Sequence, residues 1–109
     1  MREKPALLQG TLDVLVLKAL AGGPRHGYAV ARSIHEITDA ALQVEDRALY
    51  IALHRALERG WVTAAWGASE NNRRARFYAL TKSGRRALAR QARQWRDYAE
   101  AMFKALEGT

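Results

Sequence analysis

Between Val44 and Gly60 the chain reads V-E-D-R-A-L-Y-I-A-L-H-R-A-L-E-R-G. Leu49, Leu53 and Leu57 recur every four residues with Ala52 and Ala56 beside them, which predicts an amphipathic helix with one narrow apolar stripe. The opposite face carries Arg47, Tyr50, Ile51, His54 and Arg55. A merely solvated face more often alternates Glu and Lys, whereas this mixture of cations, polar rings and one bare aliphatic group suits base edges and the phosphates beside them. Directly after Gly60 the pattern changes to W-V-T-A-A-W and then to a polar turn ending in R-R-A-R. Any fold for this chain has to accommodate that order of helix and basic hairpin.

The preceding residues supply two further helices. Leu8, Leu12, Leu15, Val16, Ala19 and Leu20 predict a helix from about Leu8 to Ala21, preceded by a frayed arm from Met1 to Ala6. A-G-G-P ends that helix, because a glycine accepts the left-handed cap conformation and Pro24 cannot continue it. Pro24 to Gly27 is then a tight connection. A second helix is expected from about Tyr28 to Ile37, burying Ala29, Val30, Ile34 and Ile37. Thr38 to Gln43 links it to the third helix, with Val44 buried and Asp46, ahead of Glu45, as the N-cap. Three helices on short links make a compact helix-turn-helix core.

Trp61 to Trp66 and Arg73 to Leu80 are strand candidates, and the G-A-S-E-N-N between them is turn chemistry, with Asn71 and Asn72 as turn formers. The hairpin presents Arg73, Arg74 and Arg76, and directly after a recognition helix it is a wing. Thr81 is a good N-cap for a last helix from about Lys82 to Leu106. In that helix Leu88, Ala92, Trp95, Ala99, Met102 and Leu106 alternate steps of four and three, the seam of a helix that packs on another helix. A core this small cannot cover so long a seam, and a second copy of the chain explains it better. The expected architecture is mainly α with a small β-hairpin: a winged helix-turn-helix DNA-binding domain over 1–80 and a dimerisation helix over 81–109, forming one compact unit.

Composition narrows the function. With 109 residues, the chain fits one domain. Its formal charge of +7 favours an anionic partner. Position matters more than the sum, because the stretch from Asn71 to Arg96 holds nine cations and no acid. The absence of cysteine excludes disulfides, thiolate zinc sites and cysteine nucleophiles, and fits a reducing cytoplasm. Asp13 and Lys18 interrupt the best apolar run, so no membrane span is expected. His26, His35 and His54 fall on separate elements, and no G-x-S-x-G, H-E-x-x-H or phosphate-binding glycine loop is present. No enzyme, metal site or cofactor is therefore expected.

Together L-L-Q-G-T-L-D-V-L-V-L-K-A-L, G-P-R-H-G-Y-A-V-A-R, V-E-D-R-A-L-Y-I-A-L-H-R, R-G-W-V and S-E-N-N-R-R-A-R-F-Y-A-L-T, followed by Gly84, resemble the PadR-like transcriptional regulators over nearly the whole chain. The resemblance implies a winged helix-turn-helix, a homodimer made through the C-terminal helix and a pseudo-palindromic promoter site. The single C-terminal helix is similar to that of the small members. Where family members commonly read G-S-L-Y-P, this chain reads R-A-L-Y-I from Arg47 to Ile51, which leaves the fold intact and puts the operator sequence in question.

Each site residue has a functional reading and a structural one. Arg47, in the first turn of the third helix, either binds guanine or pairs with Glu45 or Asp46. Tyr50 either donates to a phosphate or caps the core, and Ile51 either meets a thymine methyl or is bare surface. His54 and Arg55 suit phosphates. Tyr28, with His26, begins the second helix, where a free N-terminus and a hydroxyl can hold a phosphate, or else it packs. Arg73, Arg74 and Arg76 contact DNA backbone or minor groove, or form a solvated hairpin. Trp95 either packs in the dimer seam or, since some relatives bind flat aromatic compounds between their C-terminal helices, stacks on an aromatic effector. The expected function is a sequence-specific regulator of double-stranded DNA, a homodimeric repressor on a pseudo-palindromic promoter site, open to release by a small aromatic effector. The competing reading is a dimeric winged-helix protein-interaction module.

Overall fold

The computed structural model describes residues 10–108. The expected arm from Met1 to Ala6, and Leu8 and Gln9 of the expected first helix, lie outside the described residues; Gly10, at φ 86, is not helical, and the described helix starts at Thr11. In chain order the elements are α1 (Thr11–Leu20), β1 (Arg25–His26), α2 (Gly27–Ile37), α3 (Asp46–Glu58), β2 (Val62–Ala68), β3 (Arg74–Leu80) and α4 (Lys82–Glu107).

The helical core follows the apolar periodicity. Val16 and Leu20 of α1, Val30 and Ile34 of α2, and Leu49 and Leu53 of α3 are fully buried and pack together. Leu17 joins them at 0% exposure although it lies off the predicted stripe. Its burial arises because α1 is central, touching α2, α3, α4 and β3, so more than one of its faces is covered. Leu12 and Leu15 are only partly buried against this core. Ile37, expected inside, is exposed at the last residue of α2. There the chain leaves the core: Thr38 Oγ1 donates to the Ile34 carbonyl at 2.8 Å and accepts from Leu42 N–H at 3.1 Å, turning the link towards α3.

The start of α3 differs from expectation by one residue. Glu45 occupies the N-cap without a side-chain hydrogen bond, and Asp46 is the first helical residue. At that position its charge still complements the positive end of the helix dipole. Val44 is buried just before it, as the sequence implied.

The connection from Pro24 to Gly27 is more than a turn. Arg25 and His26 form a short strand opposite Tyr78 and Phe77, so the wing belongs to a three-stranded antiparallel sheet of order β1-β3-β2. In the hairpin itself Val62 faces Leu80, Ala64 faces Tyr78, Trp66 faces Arg76 and Ala68 faces Arg74. The strands run to Ala68 and from Arg74, leaving a tighter turn than the one expected. Ser69 N–H donates to the Arg73 carbonyl at 2.8 Å and Asn72 sits at φ 57. Trp61 stays outside β2, and its carbonyl accepts the Thr81 N–H at 3.0 Å.

At the head of α4 the Thr81 side chain accepts from Gly84 N–H at 3.0 Å and donates to the Gly60 carbonyl at 2.7 Å. One hydroxyl thus caps α4 and ties it to the end of α3. Ala87 and Leu88 pack against the core, whereas Tyr98, Met102, Phe103 and Leu106 project uncovered from the distal part of the helix.

Candidate nucleic-acid interface

The 3.6-residue period of α3 turns Leu49, Ala52, Leu53 and Ala56 inwards and leaves Arg47, Tyr50, Ile51, His54 and Glu58 on the outer face. Tyr50 and Ile51 are 50% and 51% exposed. These five residues and Arg55 surround an open hollow of about 470 Å³. His54 Nε2 lies 3.8 Å from Glu58 Oε1, one turn away.

Tyr50 is packed on one side and open on the other. One side of its ring rests on Gly27 at the start of α2, where a Cβ would overlap the ring and hydroxyl, while half of the side chain stays open. Burial, with Tyr78 and Asp46 nearby, pushes its phenol above the usual tyrosine value. At neutral pH the group is therefore a hydroxyl, able to donate to an anionic oxygen.

Arg55 is engaged within the chain. Its Nη2 donates to Asp13 Oδ1 at 2.6 Å and its Nε to the two carboxylate oxygens at 3.1 and 3.2 Å. The Asp13 hydrogen bond raises the guanidinium pKa further. Arg59 Nη1 approaches the same carboxylate at 3.5 Å. An acid on α1 thus occupies a cation that the sequence offered to DNA.

The N-terminus of α2 is also partly occupied. His26 is its N-cap, with Nδ1 accepting from Ala29 N–H at 3.2 Å, Nε2 3.6 Å from Glu70 Oε1 and the ring edge-on to Phe77 at 5.4 Å. Tyr28 stands exposed beside it, and the Arg32 guanidinium lies 6.0 Å from the Tyr28 ring. Between α2 and the wing turn runs a groove of about 650 Å³ lined in part by Tyr28, Arg32, Arg73 and Arg74, with Glu70 also on its wall. Arg32 was absent from the sequence-derived set. The available signal was its place one turn after Tyr28, on the same helical face.

On the wing, Arg73, Arg74 and Arg76 are exposed. The Arg74 guanidinium lies 4.8 Å from the Trp66 ring centroid, and Arg76 lies 5.8 Å from that of Tyr78. Trp66 itself is 62% exposed. Hairpin alternation places Trp66, Arg74 and Arg76 on one face, a grouping visible only once the register is known.

Of the α4 seam residues, Leu88 packs on the chain's own core. Ala92 and Ala99 are partly covered, and Trp95, Met102 and Leu106 are exposed. Trp95 stacks near Tyr98 with centroids 5.8 Å apart, beside an open cleft of about 460 Å³ between α4 and the start of α1 that Asp13 also lines. Among the described residues no cluster of three His, Asp or Glu is arranged to hold a metal ion, and no helix is long and apolar enough to cross a membrane.

The fold has counterparts among solved structures. A transcriptional regulator from Clostridium thermocellum is 24% identical with a TM-score of 0.79, covering 88% of this chain and 93% of its own. A PadR family transcriptional regulator from Eggerthella lenta is 28% identical with a TM-score of 0.76, covering 93% and 86%. Bacillus subtilis PadR in complex with operator DNA is 21% identical with a TM-score of 0.66, over 75% of this chain and 46% of its own. Residues 16–90, well over half of the sequence and including α2, α3 and the whole wing, match the transcriptional regulator PadR-like family. The chain therefore belongs to the PadR-like family, whose members are transcriptional regulators and not enzymes.

Proposed function

We propose that this regulator is a homodimeric repressor that binds a pseudo-palindromic operator in the cytoplasm, residues 1–80 binding DNA and 81–109 forming the dimer. The observation that carries the proposal is the outer face of α3, where Arg47, Tyr50, Ile51 and His54 are exposed opposite a buried stripe, in a chain whose following hairpin exposes Arg73, Arg74 and Arg76. A helix with such a face enters the major groove, its first turn meeting base edges. Arg47 reads guanine through O6 and N7, and Ile51 meets a thymine methyl. Tyr50, His54 and Tyr28 contact phosphates, Arg73 and Arg74 with them, and Arg76 extends the wing contact. The operator complex of Bacillus subtilis PadR supports this use of the fold. Arg55 enters as a positioning residue, because Asp13 holds its guanidinium.

Dimerisation through Ala92, Trp95, Ala99, Met102 and Leu106, with Leu88 at the inner end, covers the apolar part of α4 and sets two recognition helices about 10 base pairs, or a small multiple, apart. Occupancy of the promoter then represses. A flat aromatic effector stacked on Trp95 acts by favouring a different spacing of the two helices.

The test is a footprint on the adjacent promoter, with and without planar aromatic compounds, followed by Arg47→Ala and Ile51→Ala on a panel of operator variants. Loss of discrimination at one or two base pairs is expected, each worth about 1 to 3 kcal/mol. Equal loss on all sequences would remove both residues from base reading. No salt-dependent duplex binding at all would leave the protein-interaction module as the function.

A further inference from the structure

We propose that Asp13, on α1, is a specificity-determining residue: by holding Arg55 it keeps a cation at the edge of the recognition face from binding phosphates indiscriminately. The inference rests on the DNA-binding reading. Arg55 lies one turn beyond Ile51 and lines the same outer hollow as Arg47, Tyr50 and His54. A free arginine there would add a phosphate contact on any duplex, because that contribution carries no sequence information. Asp13 removes it. Its carboxylate side chain is only 17% exposed and takes the guanidinium in a two-pronged grip, Oδ1 accepting from Nη2 at 2.6 Å and Oδ2 from Nε at 3.2 Å. That fork fixes the direction of the group as well as neutralising it. The carboxylate sits in the first turn of α1, where the helix N-terminus favours an anion. Arg59, 3.5 Å from Oδ2, is the second cation gathered on the same acid.

The pair has a second effect on α3. It joins residues 42 positions apart and ties the last turn of α3 to α1, so the direction in which Arg47 and Ile51 point depends on an acid outside the recognition helix. Asp13 therefore raises selectivity in two ways, by lowering the sequence-independent term and by orienting the residues that discriminate.

The experiment measures binding of the full chain to its footprinted operator and to a scrambled duplex of equal length, across a range of salt concentrations. Asp13→Asn is expected to tighten binding to the scrambled duplex and to steepen its logarithmic salt slope by about 0.9 for each phosphate gained per subunit. The ratio of operator to scrambled affinity is expected to fall roughly tenfold, within the span that one or two base contacts supply. The double variant Asp13→Asn/Arg55→Gln should return the scrambled-duplex slope to that of the wild type. Arg55→Gln alone should leave that slope unchanged, and this variant carries the test if Asp13→Asn does not fold. A parallel loss on both duplexes with no steeper slope in folded Asp13→Asn would make Asp13 purely structural and overturn the proposal. A slope reduced by about 0.9 in Arg55→Gln would show Arg55 already on a phosphate, with the same consequence. Wild-type protein without salt-dependent binding overturns the DNA-binding reading and this inference together, whereas normal wild-type binding with a folded Asp13→Asn that binds both duplexes as the wild type does overturns this inference alone.

Discussion

The ring of Tyr50 lies against the Cα of Gly27, so that a β-carbon at residue 27 would overlap the phenol oxygen and the ring carbons beneath it. Glycine is a poor choice for the first residue of a helix on propensity alone. Here it lets α2 and α3 approach closely enough for a tyrosine from α3 to lie on α2 and still keep half of its surface open.

Gly27→Ala should therefore destabilise the protein by about 1 kcal/mol, the low end of overpacking, because the atoms in the way are the far end of a half-open side chain that can shift, and the gain in helix propensity offsets part of the loss. Urea unfolding checks the sign. Gly27→Ala/Tyr50→Ala should recover the propensity gain, and if it stays as unstable as Gly27→Ala the contact is not the cause.

Gly84→Ala should cost more. Its added carbon would strike the Trp61 carbonyl, a backbone atom that cannot rotate aside as a side chain can. The loss is expected at about 3 kcal/mol or above, compared with about 1 kcal/mol for removing the Thr81 cap in Thr81→Ala. Thermal melts of the two variants should order accordingly.

On the wing, Arg73→Ala, Arg74→Ala and Arg76→Ala should each lower the salt slope of operator binding by about 0.9 per subunit. Trp66→Ala leaves the charge in place and frees Arg74 from its stacked position. It should weaken binding several-fold with little change in slope, an outcome that salt titration separates from loss of a phosphate contact.

The distal part of α4 carries its apolar groups in the open, Leu106 among the most exposed. Met102→Glu and Leu106→Glu should leave a monomer folded and shift sedimentation from dimer to monomer, since burying an unpaired carboxylate in the seam is unfavourable. Unchanged sedimentation would place the dimer contact elsewhere.

Tyr50 sets a pH dependence whose sign follows from its environment. Its phenol is raised above the usual value near 10 in the folded protein, first by burial. The neutral form is thus favoured on folding, and the stability it contributes is whole below about pH 10 and lost as pH rises through the folded value. Relative to Tyr50→Phe, wild-type stability should hold constant from about pH 6 to 9 and fall above about 10. Denaturant midpoints for the two proteins at neutral and alkaline pH would expose a shift of the wrong sign.

Much of the fold was legible because its determinants are local. The four-residue recurrence of Leu49 and Leu53, the A-G-G-P stop, the Thr81 cap and the Ser69 to Asn72 turn each act over a few residues, and each appears in the structure where the sequence implied. The outer face of α3 was legible for the same reason, since helical periodicity alone separates Arg47, Tyr50, Ile51 and His54 from the buried stripe.

The one-residue error at Asp46 and the exposure of Ile37 are end effects, where periodicity gives no sharp boundary. The two residues of β1 are too few to carry a period, and their pairing depends on Tyr78 and Phe77 far along the chain. Leu17 is buried because α1 has neighbours on several sides, not because of its own stripe.

By itself, then, the sequence determined which segments are helices, which form the wing, and which residues α3 turns outwards, because backbone propensity and side-chain period are properties of neighbouring residues. The tertiary structure alone decided how those outward residues are held. Asp13 takes Arg55, Gly27 receives Tyr50, and Trp66 carries Arg74. Each of these relationships joins separate elements at distances of a few ångströms, and none exists until the packing of α1, α2, α3 and the hairpin brings the partners together.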